Sequence, residues 1–460
     1  MKYIGVWDFI LVPLLLMLVH YRANRVSSRM VETQPEYEYF GRGLLFKVYA
    51  GLLFALVYTF YYDGGDTIVY WQDAKILNTL VMSEPMCYLK ILFGDTRPIW
   101  FYCFDLTEHV PHHYLRDQQA YSVSRLSAPF ALLSIDSFFG CTILVAWVCF
   151  GGIWRLYTVF VEEYPDQKKE MAIAFLFIPS VAFWGSGVMK DAYTLTAACW
   201  LTSSVYGLLL KRRQIVFNVI AVVFSSYVMI TMKPYIFVAL MPGTLLWVVF
   251  NRIQKIQSPF LRFLSAPMII MIGFVLGSVI FSQTSGRLEN YGSVDSMLEK
   301  AVATQEDLKR EAYEGNSFDI GTIDPSLTGM LRKAPLAIFA GLFRPSLIDV
   351  RNPVMLISAV ENTILMFFLM YMLLSVGLFA FFRYVFTKPM IMFSFVFAVF
   401  FAFAVGLTTS NFGSLVRYKI PSLPFLLASL YLIRYNKIRD AKGLSEEGMD
   451  ETTALYEAPQ

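Results

Sequence analysis

Long apolar runs recur along this chain, and their length constrains the fold more than any single motif. A membrane-crossing helix needs roughly 20 residues with few charges. Such runs fall at about 4–20, 44–62, 134–158, 171–188, 192–210, 214–232, 235–250, 265–282, 356–382, 390–408 and 418–433, about eleven in all. The chain is 57% hydrophobic and only 16% charged, with a mean hydropathy of +0.53. One soluble core of this size could not bury so much apolar surface. The expectation is therefore an all-α polytopic membrane protein, with residues 1–439 forming the multi-span domain. A net charge of +3 gives no reason to expect a nucleic-acid partner. The first apolar run lacks a basic start and a small-residue cleavage site, so no cleavable signal peptide is expected.

Lys and Arg in short connections set the orientation. Every second connection is basic: Arg22, Arg25 and Arg29; Lys168 and Lys169; Lys211, Arg212 and Arg213; Arg252, Lys255 and Arg262; Arg383 and Lys388; Arg434, Lys437 and Arg439. These connections are expected in the cytoplasm, with the N-terminus outside and the C-terminus inside. Residues 440–460 are polar and acidic and read as a disordered cytoplasmic tail. Two long segments, about 63–133 and 283–355, then fall on the outer side and are expected to carry interfacial helices. In the second, Val294, Leu298, Ala301, Leu308 and Ala312 recur at near-helical spacing. Asn316 to Pro325 reads as loop, and Pro345 and Pro353 bracket a turn before the next span. Cys87 and Cys103 can pair if their loop faces an oxidising compartment. Cys141, Cys149 and Cys199 fall in apolar runs and read as small core residues. There is no internal repeat and no inverted pair of broken helices, which counts against a secondary transporter.

Ionisable residues at a membrane are costly and mark candidate sites. Asp63 and Asp66 flank Gly64 and Gly65 where the second run ends. Either carboxylate could serve as a general base, or the pair could hold a divalent cation; a solvated turn capping the next helix is the competing reading. Gly185-Ser186-Gly187 leads to Lys190 and Asp191 and suits a phosphate as well as an ordinary tight turn. Arg125, Lys233, Arg344 and Arg417 lie at outer ends of spans, where basic residues are unexpected. One is a headgroup anchor; several together suit an anionic phosphate. Glu361 and Asn362 fall inside an apolar run, as a pocket or as a buried hydrogen bond. His109, His112 and His113, near Asp105 and Glu108, suit a metal less well than a solvated loop. No nucleotide-binding loop, serine elbow or zinc-protease motif is present.

These features resemble the GT-C superfamily of integral-membrane glycosyltransferases, which take sugar from a polyprenyl-phosphate carrier. The resemblance rests on Asp63 to Trp71, on Ser186 to Asp191 and on Arg417-Tyr418-Lys419-Ile420-Pro421-Ser422-Leu423-Pro424. It also rests on Asn411-Phe412-Gly413, Phe343-Arg344-Pro345 and Asn352-Pro353, which are similar to bacterial members. The chain departs in having two spans before its acidic turn, two residues between its acids, and no large soluble C-terminal domain. The resemblance implies that Arg417, Arg344, Lys190, Lys233 and Arg125 pair with the donor phosphate while Asp63 or Asp66 takes the acceptor proton, with inversion at the sugar. Asp191, Glu361, Asn362 and Asn411 are further pocket candidates. It implies a bacterial inner-membrane enzyme of cell-envelope glycan synthesis, with a lipid-linked sugar as donor and a glycan, lipid or protein as acceptor, and it implies nothing about a metal. A cell-surface polysaccharide polymerase or ligase, leaning on outer-loop arginines, and a non-catalytic transporter-like protein are the alternatives.

Overall fold

The computed structural model describes residues 3–107, 110–114, 116–284, 321 and 326–443. The first half of the chain forms α1 (Asp8–Met30), α2 (Glu38–Leu56), α3 (Asp66–Ser83), α4 (Pro85–Leu92), α5 (Gln118–Leu133) and α6 (Phe138–Glu163). Next come α7 (Lys168–Leu176), α8 (Pro179–Trp184), α9 (Lys190–Val205), α10 (Ile215–Met232), α11 (Pro234–Gln254) and α12 (Pro259–Thr284). The last are α13 (Leu327–Phe343), α14 (Pro353–Val376), α15 (Leu378–Thr387), α16 (Pro389–Thr408), α17 (Phe412–Tyr418) and α18 (Ser422–Ala441). No strand occurs among the described residues, which are all-α.

Among the described residues, seven helices are long and apolar enough to cross a membrane: α1, α2 with its flanking turns, α6, α9 with its last turn, α10, α14 and α16. The expected run at 171–188 is instead two short helices. Pro179 opens α8, and Ile178 before it is extended (ψ 116°), as a residue preceding proline prefers. The run at 356–382 is similarly cut at Gly377, whose φ of 83° ends α14 and starts α15. The runs at 235–250 and 265–282 fall on α11 and α12, and the apolar part of α11, Pro234–Phe250, is shorter than a full span. Both α2 and α9 finish in a π-helical turn, Val57–Tyr61 and Tyr206–Leu210.

The segment 63–133 is largely helical. α3 packs against α5, and Cys87 and Cys103 are joined by a disulfide that ties α4 to the following turns. Buried Asp73 accepts the backbone N–H groups of His112 (2.6 Å) and His113 (3.0 Å), fixing the approach to α5. The amphipathic stretch 294–312 and the loop 316–320 lie outside the described residues, as does the tail from 444.

Elsewhere, α6 packs against α2 and α9, and α16 against α11, α13 and α18. The α13–α16 crossing is close because glycines face it. A Cβ on Gly406 would stand 1.9 Å from the Ala337 carbonyl oxygen, and one on Gly341 2.1 Å from that of Ala402. Small residues at such crossings let backbones meet where lipid offers no hydrophobic drive to association.

Candidate functional site

Four turns bring the expected charges together. At the end of α2 the chain runs through Asp63 (φ 47°), Gly64 (φ 148°) and Gly65 (φ 106°) into α3. A side chain at Gly65 would press on the Tyr58 ring, 3.0 Å from its Cε1, so glycine is required there twice over. Asp66 is then the first residue of α3, and its carboxylate is exposed. The α8–α9 turn carries Ser186, Gly187, Val188 and Met189 in full burial. Gly187 lies flat against Phe54, whose ring would be 2.2 Å from an added Cβ. This glycine serves close packing, and Lys190 and Asp191 follow in the first turn of α9, where the helix dipole favours the carboxylate.

Asp191 is 2% exposed and forms an ion pair with Lys233, itself 5% exposed, at 2.5 Å. Its other oxygen, Oδ2, is buried without a hydrogen-bond partner and faces Arg417 Nη2 at 3.7 Å. The same Nη2 reaches Asp66 Oδ2 at 3.4 Å. A line of alternating charge, Asp66–Arg417–Asp191–Lys233, therefore links α3, α17, α9 and the α10–α11 turn. Lys190 lies beside it and pairs with Asp117 at 3.3 Å, while Asp117 caps α5 by accepting the Ala120 N–H. Aromatic rings wall the cluster. Lys233 Nζ is 4.2 Å from the Tyr418 ring centre, and the Arg417 guanidinium 5.9 Å from that of Trp184.

Burial pulls the Lys233 ammonium down to about 8; Asp191 opposes the shift, and Arg417 and Lys190 add to it. Burial also works against the Arg417 charge, yet Asp191, Tyr58 and Asp66 together hold it above the usual arginine value. The Arg417 contacts are longer than the 2.7–2.9 Å of a well-formed charge-assisted hydrogen bond, and its buried Nε has no hydrogen-bond partner. Arg417 is thus charged and incompletely satisfied. An anion with several oxygens fits that state better than two distant carboxylates do.

Other expected residues gather elsewhere. Arg344 is held by Asp349 at 2.7 Å and lies over Phe412, 5.0 Å from the ring centre. Asn362 donates to the Pro345 carbonyl (2.8 Å), and its own oxygen receives Lys419 Nζ at 2.5 Å. Lys419 also donates to the backbone carbonyls of Leu342 (3.1 Å) and Arg344 (2.9 Å). Glu361 accepts the Ser180 N–H at 2.8 Å and so closes the start of α8. Asn411 caps α17 through the Ser414 N–H. Arg125 is buried in α5, bonded to Ser122 (2.8 Å) and packed under the Gly94 turn. Asp63 stands in the turn before α3, exposed.

Several partners are invisible to motif reading: Asp117, Asp349, Lys419 and the aromatic walls. Lys47 carried a usable signal, a charge within the 44–62 run, and belongs beside Glu361 and Asn362. It is 3% exposed and donates to the Gly185 carbonyl at 2.5 Å, pinning the turn that delivers Asp191. His113 Nδ1 and Asp73 meet at 2.8 Å, and His109 lies outside the described residues. Among the described residues no group of three or more His, Cys, Asp and Glu side chains is placed to hold a metal. Compared with known proteins, the chain matches no family model, no curated protein and no solved structure.

Proposed function

We propose that the Asp66–Arg417–Asp191–Lys233 cluster binds the phosphate of a polyprenyl-phosphate-linked sugar, and that the protein transfers that sugar to an acceptor on the extracytoplasmic face. The observation that carries this reading is Arg417, half-buried, charged, with its Nε buried and unpartnered and its guanidinium held only by long contacts to two carboxylates. An arriving phosphate exchanges for those carboxylates at Arg417, with Lys233 as second cation. Asp66, released from Arg417, takes the proton of the acceptor hydroxyl. The acceptor oxygen attacks the anomeric carbon as the bond to phosphate breaks, and the electron pair leaves on the phosphate, where the two cations stabilise it. Asp63 is the second carboxylate within the same turn. Apolar helices around the cluster suit a donor whose tail stays in lipid. The basic connections and the Cys87–Cys103 disulfide support placing the 63–133 segment outside the cytoplasm.

The test uses undecaprenyl phosphate as probe and the purified full-length protein in detergent. Arg417→Gln should weaken binding roughly 30- to 150-fold, the loss of a charge-assisted contact of about 2–3 kcal/mol, with unfolding temperature nearly unchanged. Equal affinity in the variant and the wild type defeats the reading.

A further inference from the structure

A cavity lies at the N-terminal end of α1, apart from the Arg417 cluster. It has a volume of about 220 Å³ and is walled by Tyr3, Trp7, Asp8, Trp71, Lys75 and Asp136 among others. This is far more than the roughly 30 Å³ share of one water and approaches the lower range of small-ligand sites. It adjoins the acidic turn without being part of it: the Tyr3 hydroxyl is the nearest group to an added Cβ on Gly64, at 3.9 Å.

The Lys75 ammonium and the Asp136 carboxyl act on each other at a distance but form no direct ion pair. Asp8 is occupied, accepting the Gly5 N–H at 2.7 Å and the Ser137 hydroxyl. Asp136 has one oxygen buried without a hydrogen-bond partner, and its backbone is in the left-handed region (φ 57°), as is that of Ile135 before it (φ 49°). Burial pushes the Asp136 carboxyl up, with Lys75 and Asn78 opposing. Lys75 holds its ammonium 4.7 Å from the centre of the Trp71 ring and, among the described residues, forms no ion pair. An acid, a base and indole rings thus line one hollow, with the acid and base in electrostatic reach of each other but in no direct ion pair.

The surface below completes the picture. Only 11% of the most apolar stretch of α1 is buried inside the protein. Val6, Phe9, Ile10, Leu14 and Met17 are exposed, and they run from the cavity mouth along the helix. A ligand carrying phosphate and ammonium a few bonds apart would satisfy Lys75 and Asp136 together, and aromatic rings favour an alkylammonium beside them. Hydrocarbon chains attached to it would lie on the exposed face of α1. We propose that this cavity is a headgroup site for a phospholipid of the phosphoethanolamine class, with phosphate on Lys75 and ammonium on Asp136. The proposal stands independently of the sugar-transfer reading, since it uses no residue of the Arg417 cluster.

The experiment is native mass spectrometry of the detergent-purified full-length protein, equilibrated with equal amounts of phosphatidylethanolamine and phosphatidylglycerol of matched chains. Wild type should retain phosphatidylethanolamine about tenfold over phosphatidylglycerol. Asp136→Asn should bring the ratio to parity, because only the ammonium distinguishes the lipids. Lys75→Gln should weaken retention of both. Trp7→Ala, a change at an exposed position, should reduce the preference without altering the unfolding temperature. Equal retention of the two lipids by wild type overturns the proposal, as does an unchanged ratio in Asp136→Asn. Soluble O-phosphoethanolamine should compete only at concentrations far above those of the lipid. Competition at equal concentration would assign the cavity to a free metabolite and overturn the lipid source.

Discussion

Two clusters flank the short helix α17, and they treat their cations in opposite ways. On one side, Arg417 and Lys233 face carboxylates, Asp66 and Asp191, and two of the three contacts exceed 3.3 Å. On the other, Lys419 donates to neutral oxygens, two backbone carbonyls and the Asn362 amide, all within 3.1 Å, and the Glu361 carboxylate acts on it without direct contact. A cation held loosely by anions can exchange them for another anion. A cation clasped by backbone carbonyls cannot, because the chain cannot move those oxygens without unfolding the turn. Burial therefore does not identify a binding residue by itself; the nature and length of its partners do.

The largest effect that should separate the two is on stability. Lys419→Met strips three buried acceptors of their donor, and unsatisfied buried groups cost about 1–3 kcal/mol each. A loss of roughly 3 kcal/mol or more is expected in detergent unfolding, while Arg417→Gln should cost about 1 kcal/mol or less. A comparable loss in the two variants would erase the distinction.

Next comes pH. Burial holds Lys419 near 7 and Lys233 near 8, both well below the ordinary lysine value of 10.5. Between 7 and 10.5 the unfolded chain carries more protons at Lys419 than the folded one, so that lysine's contribution to stability rises with pH across the window. Lys419→Met should flatten this rise. Anion binding should run the other way, weakening as pH passes 8 and Lys233 loses its charge, and Lys233→Met should flatten that. The same sign for both would mean that the clusters are not functionally distinct.

A third effect is steric. Gly187→Ala sets a methyl 2.2 Å from Phe54 Cε1 and must displace the α8–α9 turn. An overpacking cost of about 1–3 kcal/mol is expected, with weaker undecaprenyl phosphate binding because Asp191 moves. The smallest concerns Glu361→Gln, which keeps an acceptor for the Ser180 N–H. It should change stability by less than about 1 kcal/mol and leave binding alone.

The apolar runs made most of the helices legible, because composition acts locally and a span cannot hide its length. The misreading at 171–188 came from weighing hydropathy above Pro179, whose steric effect on Ile178 breaks the helix. Asp66, Asp191, Lys233 and Arg417 were each recognisable as charges at the ends of apolar runs. Their pairing was not: Asp66 and Arg417 are 351 residues apart, and nothing in either local sequence names the other. Arg344 and Arg125 gave the same local signal yet are engaged by Asp349 and Ser122, partners that only the fold supplies. Lys47 was legible and easily passed over, since one charge barely lowers the hydropathy of a long run.

α17 also makes the two clusters mechanically dependent. Arg417 and Lys419 are two residues apart at its C-terminal end, and helical geometry sets such positions about 200° apart around the axis. Turning the helix to bring Arg417 closer to a guest anion therefore swings Lys419 away from its carbonyl clasp. If the site binds an anion as proposed, the clasp would act as a return spring, resisting closure and favouring release. Under the proposed reading, a slacker clasp would trade turnover for retention, and residence time at one end of a seven-residue helix would be set by oxygens at its other side.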